Sequence, residues 1–314
     1  MLFIPVLQAL MPLPRRTDLT REEWKSVTHS DFWIPHAERE KYKRALGALN
    51  NGGIPYVITG AYAIYEHTGI YRETKDLDLF VEPGQVVSTM RILRAAGFRT
   101  RLVQAHWLAK AELGDHVVDV IFGMGNGLAP VDGDWYRHSR PAILAAHPVR
   151  IAPPEELIWH RLFIHERHRQ DTADILHLIL CRGEQLDWDR LVRKTAGNWP
   201  LLLSKLILFP YIYPEARGKI PERIVSRLLE EASADLDRPR TDERMTRGPL
   251  VSRFSFSIDV NEWGMRDARQ ETVAEAEHAP VLREIALADV WDERSRFVLE
   301  FLERTADEPR ELPE

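Results

Sequence analysis

The run Asp76-Leu77-Asp78-Leu79-Phe80-Val81 restricts how this chain can fold more than any other short segment. Polar and apolar residues alternate and then turn wholly apolar, the pattern of a strand with one wet end. Side chains at i and i+2 of a strand leave the same face. Asp76 and Asp78 are therefore held side by side at one edge of a sheet. Two carboxylates so close repel each other, and a cation between them relieves the repulsion.

A second strand has to lie near. His116-Val117-Val118-Asp119-Val120-Ile121-Phe122 is the clearest β-segment in the chain, and its valines bury the base of Asp119. Around these two strands the pattern alternates. A helix is expected over 38–49, closed by Asn51-Gly52-Gly53. A short strand follows at 55–59, and a short helix at 61–67 ends at Gly69. A helix opened by Pro83-Gly84 runs to Gly97, with strands near 98–103 and 106–113. Helix and strand alternation around one sheet makes this half α/β or α+β. After Pro153-Pro154 the pattern is nearly all helical to about Glu231. Asp235 to Pro249 is dense in charge and reads as a linker or exposed loop. Phe254-Ser255-Phe256-Ser257-Ile258 alternates like a strand, and 280–302 has room for one or two helices.

Apolar residues make up 44% of the 314, enough for a sizeable core. The net charge of -6 argues against a broad nucleic-acid surface, though not against a small basic pocket. The single cysteine, Cys181, excludes an intrachain disulfide and a cysteine-based zinc site, and suits a reducing, cytoplasmic compartment. Met1 to Leu13 is apolar but has no preceding positive charge and no small-residue cleavage site, so no signal peptide is expected. No apolar run approaches the ~20 residues of a membrane span.

The residues around the carboxylates suit a nucleotide. Gly60-Ala61 lies between a strand and a helix, where backbone N–H groups can receive phosphate oxygens. Arg72, Thr74 and Lys75 lead directly into Asp76, offering cations and a hydroxyl to a triphosphate. Magnesium takes hard oxygen ligands, which paired aspartates and substrate phosphates supply, and Asp119 could complete a two-metal site.

Thr59-Gly60-Ala61-Tyr62-Ala63, then Arg72-Glu73-Thr74-Lys75-Asp76-Leu77-Asp78-Leu79, then Asp119 on a later strand, resembles the signature of the DNA polymerase β-like nucleotidyltransferase superfamily. The nearer resemblance is to its small bacterial branch of antibiotic adenylyltransferase-like proteins and toxin-type nucleotidyltransferases. Pro154-Glu155-Glu156-Leu157-Ile158-Trp159-His160-Arg161 and Arg169-Gln170-Asp171-Thr172-Ala173-Asp174-Ile175 are similar to the helical pair that follows the catalytic sheet in that branch. Ala61 departs from the Gly or Ser of the wider superfamily. Arg161 stands where the branch has Lys, and keeps the charge. The resemblance covers about 50–180.

It implies an α+β fold, a nucleotidyltransferase-type mixed sheet flanked by helices and followed by a helical C-terminal domain. The expected organisation is an N-terminal extension over 1–36, a nucleotidyltransferase domain over 37–152, a helical domain over 153–234, a charged linker or loop over 235–249 and a C-terminal extension over 250–314. Asp76, Asp78 and Asp119 would be catalytic and hold two Mg²⁺ ions, with Mn²⁺ as the alternative. Gly60, Ala61, Arg72, Thr74, Lys75 and Arg161 would contact the nucleotide. A nucleoside triphosphate would give its monophosphate to a hydroxyl on a small molecule, a protein or an RNA end, with loss of pyrophosphate. The competing reading is a nucleotide- or partner-binding protein on the same fold without turnover.

His160, His165, His168, Asp171, Asp174 and His177 crowd one stretch expected to be helical. A metal site there needs a second converging element, and the resemblance favours a salt-bridge network. His67 suits a helix end. Tyr62 and Tyr65 suit a core or rim more than a base-stacking platform. Gly123-Met124-Gly125-Asn126-Gly127 follows no phosphate-loop spacing, and Trp263 and Arg266 sit in a loop with no chemistry attached.

Overall fold

The computed structural model describes residues 36–72, 74, 76–166, 169–237, 244–277, 279–295 and 298. Residues 1–35 of the expected N-terminal extension lie outside them. The chain opens with α1 (His36–Asn51), β1 (Val57–Ile58), α2 (Gly60–Thr68), β2 (Asp76–Phe80) and α3 (Val86–Ala95). It continues with β3 (Arg99–Gln104), β4 (Leu108–Leu113), β5 (His116–Ile121), α4 (Gly133–Arg137), β6 (Arg140–Leu144) and β7 (His147–Ile151). These strands form a seven-stranded mixed sheet in the order β3-β4-β5-β2-β1-β7-β6. The β2/β5 and β1/β7 pairs are parallel and the others antiparallel.

The expected strand over Asp76–Val81 is present, and its alternation decides which face is buried. Leu77 stands opposite Val118 and Leu79 opposite Val120, and all four are buried. Each such side chain contributes about 1.5–3 kcal/mol by leaving water. Helix α1 covers this face: its Tyr42 meets the ring of His116 edge-on, with centroids 6.5 Å apart. Helix α3 packs beside α1 through Val86, Met90 and Leu93, all buried. The opposite face carries Asp76, Asp78, Phe80, Asp119 and Ile121.

The hairpin of β6 and β7 goes beyond what the sequence pattern shows. Its two turn residues, Ala145 and Ala146, both have positive φ, a conformation that Gly or Asn usually announces. Pro141 and Pro148 further mask the strands.

The helical region holds α5 (Pro154–Arg161), α6 (Thr172–Arg182), α7 (Trp188–Thr195), α8 (Trp199–Ile212) and α9 (Glu222–Leu236). Between α5 and α6 the helical pattern breaks into two short paired strands, β8 (His165–Glu166) and β9 (Arg169–Gln170). Further on come β10 (Met245–Thr246), α10 (Gly248–Val251), α11 (Ser257–Asn261), β11 (Arg266–Asp267), α12 (Arg269–Glu277) and α13 (Pro280–Leu287). Within the charged stretch 235–249, Leu236 ends α9, Met245–Thr246 pairs with β11, and Pro249 is buried in α10. The strand expected over Phe254–Ile258 is instead a turn leading into α11. The Ser252 hydroxyl and carbonyl take the N–H groups of Ser255 and Phe256, and these local bonds replace a strand ladder. Among the described residues no helix is long and apolar enough to cross a membrane.

A buried charge cluster ties α5 to α7. Arg190 bonds Glu155 at 2.6 Å and also bonds Glu156, and Lys194 lies 3.4 Å from Glu156. Burial pushes the Glu156 carboxyl up to about 7, against the opposing pull of Arg190 and Lys194. The fold thus holds this proton more tightly than the unfolded chain, whose ordinary value is 4.5. The stability contributed is complete below that value and is lost as pH rises through the folded pKa. Glu156→Gln should therefore lose less stability than the native chain between about pH 5 and about pH 8. Urea midpoints of both proteins at the two pH values would show it. Parallel declines would remove Glu156 as the cause.

Candidate functional site

Parallel pairing sets Asp78 directly opposite Asp119, with Asp76 two residues back on the same face. The three expected carboxylates are thus brought together by the sheet. Burial raises the Asp119 carboxyl above its ordinary value. Lys110 opposes this by hydrogen bond and charge, and the negative charge of Asp76 adds to it.

Lys110 sits opposite Asp119 on the antiparallel neighbour β4. Its Nζ lies 2.9 Å from Asp119 Oδ1 and donates to Oδ2 at 3.2 Å. Only the longer contact has hydrogen-bond geometry, so the buried Oδ1 holds an ion pair without a directed donor. Sequence reasoning did not single out Lys110. Its signal was present but weak: a lone cation in the otherwise uncharged run Leu108-Ala109-Lys110-Ala111 of a strand.

Gly60 starts α2 with φ +61, and a Cβ built there would lie 1.8 Å from Asp78 Oδ2. Glycine lets the Asp78 carboxylate rest against the start of the helix. The adjoining Thr59 donates its backbone N–H to the Asp78 carbonyl at 3.0 Å, fixing the turn to β2.

The expected nucleotide contacts divide. Gly60, Asp78, Asp119 and Arg161 line one cavity of about 1050 Å³. Ala61, Arg72, Thr74 and Asp76 do not line it. Lys75 falls outside the described residues. Thr74 Oγ1 donates to the Asp76 carbonyl at 3.2 Å and accepts from the Asp76 N–H at 3.3 Å, steadying the entry to β2. Arg72 makes a two-pronged bond to Asp174, one arm at 3.0 Å. Buried Arg161 donates to the same carboxylate at 3.2 Å, with Asp171 at 3.8 Å. Asp174, itself buried in the first turn of α6, thus grips both arginines.

That network corrects the reading of the histidine-rich stretch as one helical face. His165 lies on β8, Asp171 caps α6, and His168 is outside the described residues. The aspartates serve arginines, as the salt-bridge expectation had it. Among the described residues no three His, Cys, Asp or Glu side chains converge as a ready-made metal site. His67 Nε2 bonds the Ala152 carbonyl at 2.8 Å, and Tyr62 is buried edge-on to Tyr42, so both belong to the core.

The outer wall of the cavity comes from late in the chain: residues 249–254 and part of α12. The glycine-rich loop after β5 supplies Met124, Gly125 and Asn126, and it is anchored to that wall. Asn126 Nδ2 donates to Leu250 O at 3.1 Å, and the Thr272 hydroxyl donates to Asn126 O at 2.5 Å. Gly127 passes so close to the Thr272 backbone that a Cβ would lie 2.5 Å from it. Trp263 is exposed and is not part of the lining.

No protein-family model and no curated protein matches this chain. Among solved structures it is similar to the antibiotic-resistance factor ANT(2'')-Ia, at 18% identity over 58% of this chain and 100% of that one, with a TM-score of 0.38. It is similar to the lincosamide antibiotic adenylyltransferase LnuA at 15% identity, over 46% and 96% of the two chains, with a TM-score of 0.33. An antigenic nucleotidyltransferase-like protein from Paracoccidioides brasiliensis is 15% identical over 55% and 93%, with a TM-score of 0.33. At these values the likeness carries no weight in assigning chemistry, which rests on the side chains of the sheet.

Gly60→Ala should destabilise the protein by about 1–2 kcal/mol in urea unfolding, since alanine is strained at positive φ and its methyl group displaces Asp78. A variant as stable as the native chain would show that the close approach of Gly60 and Asp78 is not required.

Proposed function

We propose that this chain transfers a nucleoside monophosphate from a nucleoside triphosphate to a hydroxyl acceptor and releases pyrophosphate. The observation that carries the reading is the register that sets Asp78 against Asp119, with Asp76 on the same face, beside a cavity that also takes in Gly60 and Arg161. The donor set fits a hard divalent ion: the carboxylates of Asp76, Asp78 and Asp119 leave one face of the sheet, with Lys110 paired to Asp119. Asp76 and Asp78 would hold magnesium, or manganese in its place, and substrate phosphates would complete the ligands. The ion would supply charge neutralisation at the phosphates.

The protein's own residues do the rest by positioning. Backbone N–H groups at Gly60 and Ala61 would receive phosphate oxygens at the start of α2. Arg161 in the cavity lining would set the triphosphate, with help from Arg72, Thr74 and Lys75, which precede Asp76 in the chain. Asp119, made more basic by burial, would take the proton of the acceptor hydroxyl. That oxygen bonds to the α-phosphorus as the bond from phosphorus to the pyrophosphate oxygen breaks. The acceptor, a small molecule, a protein or an RNA end, would enter along the wall formed by 249–254 and α12.

One observation favours a second reading, binding without turnover: Lys110 already pairs with Asp119. Pyrophosphate release separates the two. Asp76→Ala and Asp78→Ala should each lower Mg²⁺-dependent pyrophosphate release about 100-fold or more. In isothermal titration the double variant should lose metal-dependent triphosphate binding. Equal binding by native and variant chains would move the nucleotide away from these carboxylates.

Asp174→Asn should raise the KM for nucleotide about tenfold with a smaller change in kcat, because both arginines lose their anchor. A fall in kcat alone, with KM unchanged, would count against Arg161 and Arg72 as nucleotide contacts.

A further inference from the structure

We propose that Lys110 is a tethered cation standing in for one divalent ion at Asp119, so that the site works with one bound divalent ion rather than two. The inference rests on the proposed nucleotide site. Across the sheet, Asp78, Asp119, Lys110 and Arg101 occupy successive strands in one register, β2, β5, β4 and β3. Paired residues on neighbouring strands point to the same face, so the four form a single row in which two acids adjoin two bases. Arg101 is held by Glu112 at 3.2 Å, whereas Lys110 is within 3.2 Å of both oxygens of Asp119.

The placement of Lys110 is set by the ladder. Its backbone is fixed opposite Asp119 in the interior of a six-residue strand, and its side chain is about three-quarters covered. A second divalent ion shared between Asp78 and Asp119 would have to displace this ammonium or sit beside it, and like charges at that range repel. The three aspartates and Lys110 together carry two negative charges in excess, which one divalent ion at Asp76 and Asp78 balances.

The test counts ions rather than turnover. The full chain is saturated with a non-hydrolysable α,β-methylene ATP, and bound Mn²⁺ is measured from the electron paramagnetic resonance signal of free ion. The native chain should hold about one Mn²⁺ per nucleotide complex, and Lys110→Met about two. Lys110→Arg, which keeps a cation on the same strand, should stay at about one. Thermal melting confirms that each variant is folded, and the arginine variant keeps the inference testable if the methionine variant is not. Two ions in the native chain, one ion in folded Lys110→Met, or two in Lys110→Arg would each overturn the role of Lys110 while leaving the nucleotide site standing. Mn²⁺ binding that Asp78→Ala leaves unchanged would overturn the site itself, and this inference with it.

Discussion

The rest of the structure depends on one constraint, the register that sets two acidic residues, Asp78 and Asp119, opposite each other on adjacent parallel strands. Asp78 and Asp119 cannot move apart without shifting β2 against β5, and a one-residue slip of β2 would send Leu77 and Leu79 to the wrong face. Hydrophobic burial under α1 and α3 therefore holds the acids in place. Lys110 pairs with Asp119 on one side, and both acids line the open cavity on the other.

The same economy of means extends to the cavity's far side. Asp174 collects Arg72 from the approach to β2 and Arg161 from the end of α5, so one buried carboxylate fixes two elements of the site. An unpaired buried arginine is costly, so the bond of Arg161 to Asp174 ties the end of α5 to α6. The late segment around 249–277 adds a wall through side-chain-to-backbone hydrogen bonds with the loop after β5, and so couples it to the carboxylate face.

Much of this was legible in the sequence where the physics is local. Alternation in Asp76–Val81 and the valine-rich run around Asp119 announce their strands, and Pro83-Gly84 with Gly97 bounds the helical segment that holds α3. The pattern failed where partners are distant or signals are masked. The β6–β7 hairpin turns on two alanines at positive φ and carries a proline in each strand, so no turn or strand signal survives. Phe254–Ile258 shows period-two alternation, but five residues of pattern cannot outweigh the Ser252 hydrogen bonds that curl the segment into a turn. The histidine-rich stretch kept a helical composition through a break where His165–Glu166 pairs with Arg169–Gln170.

The sequence by itself determined that two carboxylates share one strand face, that a third lies on another strand, and that a glycine precedes a short helix upstream. Spacing along a strand needs no partner to be read, because side-chain direction repeats every two residues. Only the tertiary structure decided that Asp119 faces Asp78 across a parallel pair and that Lys110 completes the row. It also decided that Arg72 and Arg161 meet on Asp174, and that residues from the end of the chain close the cavity. Those are matters of register and of contacts between residues far apart in the chain, set by the packing of the whole sheet and its helices.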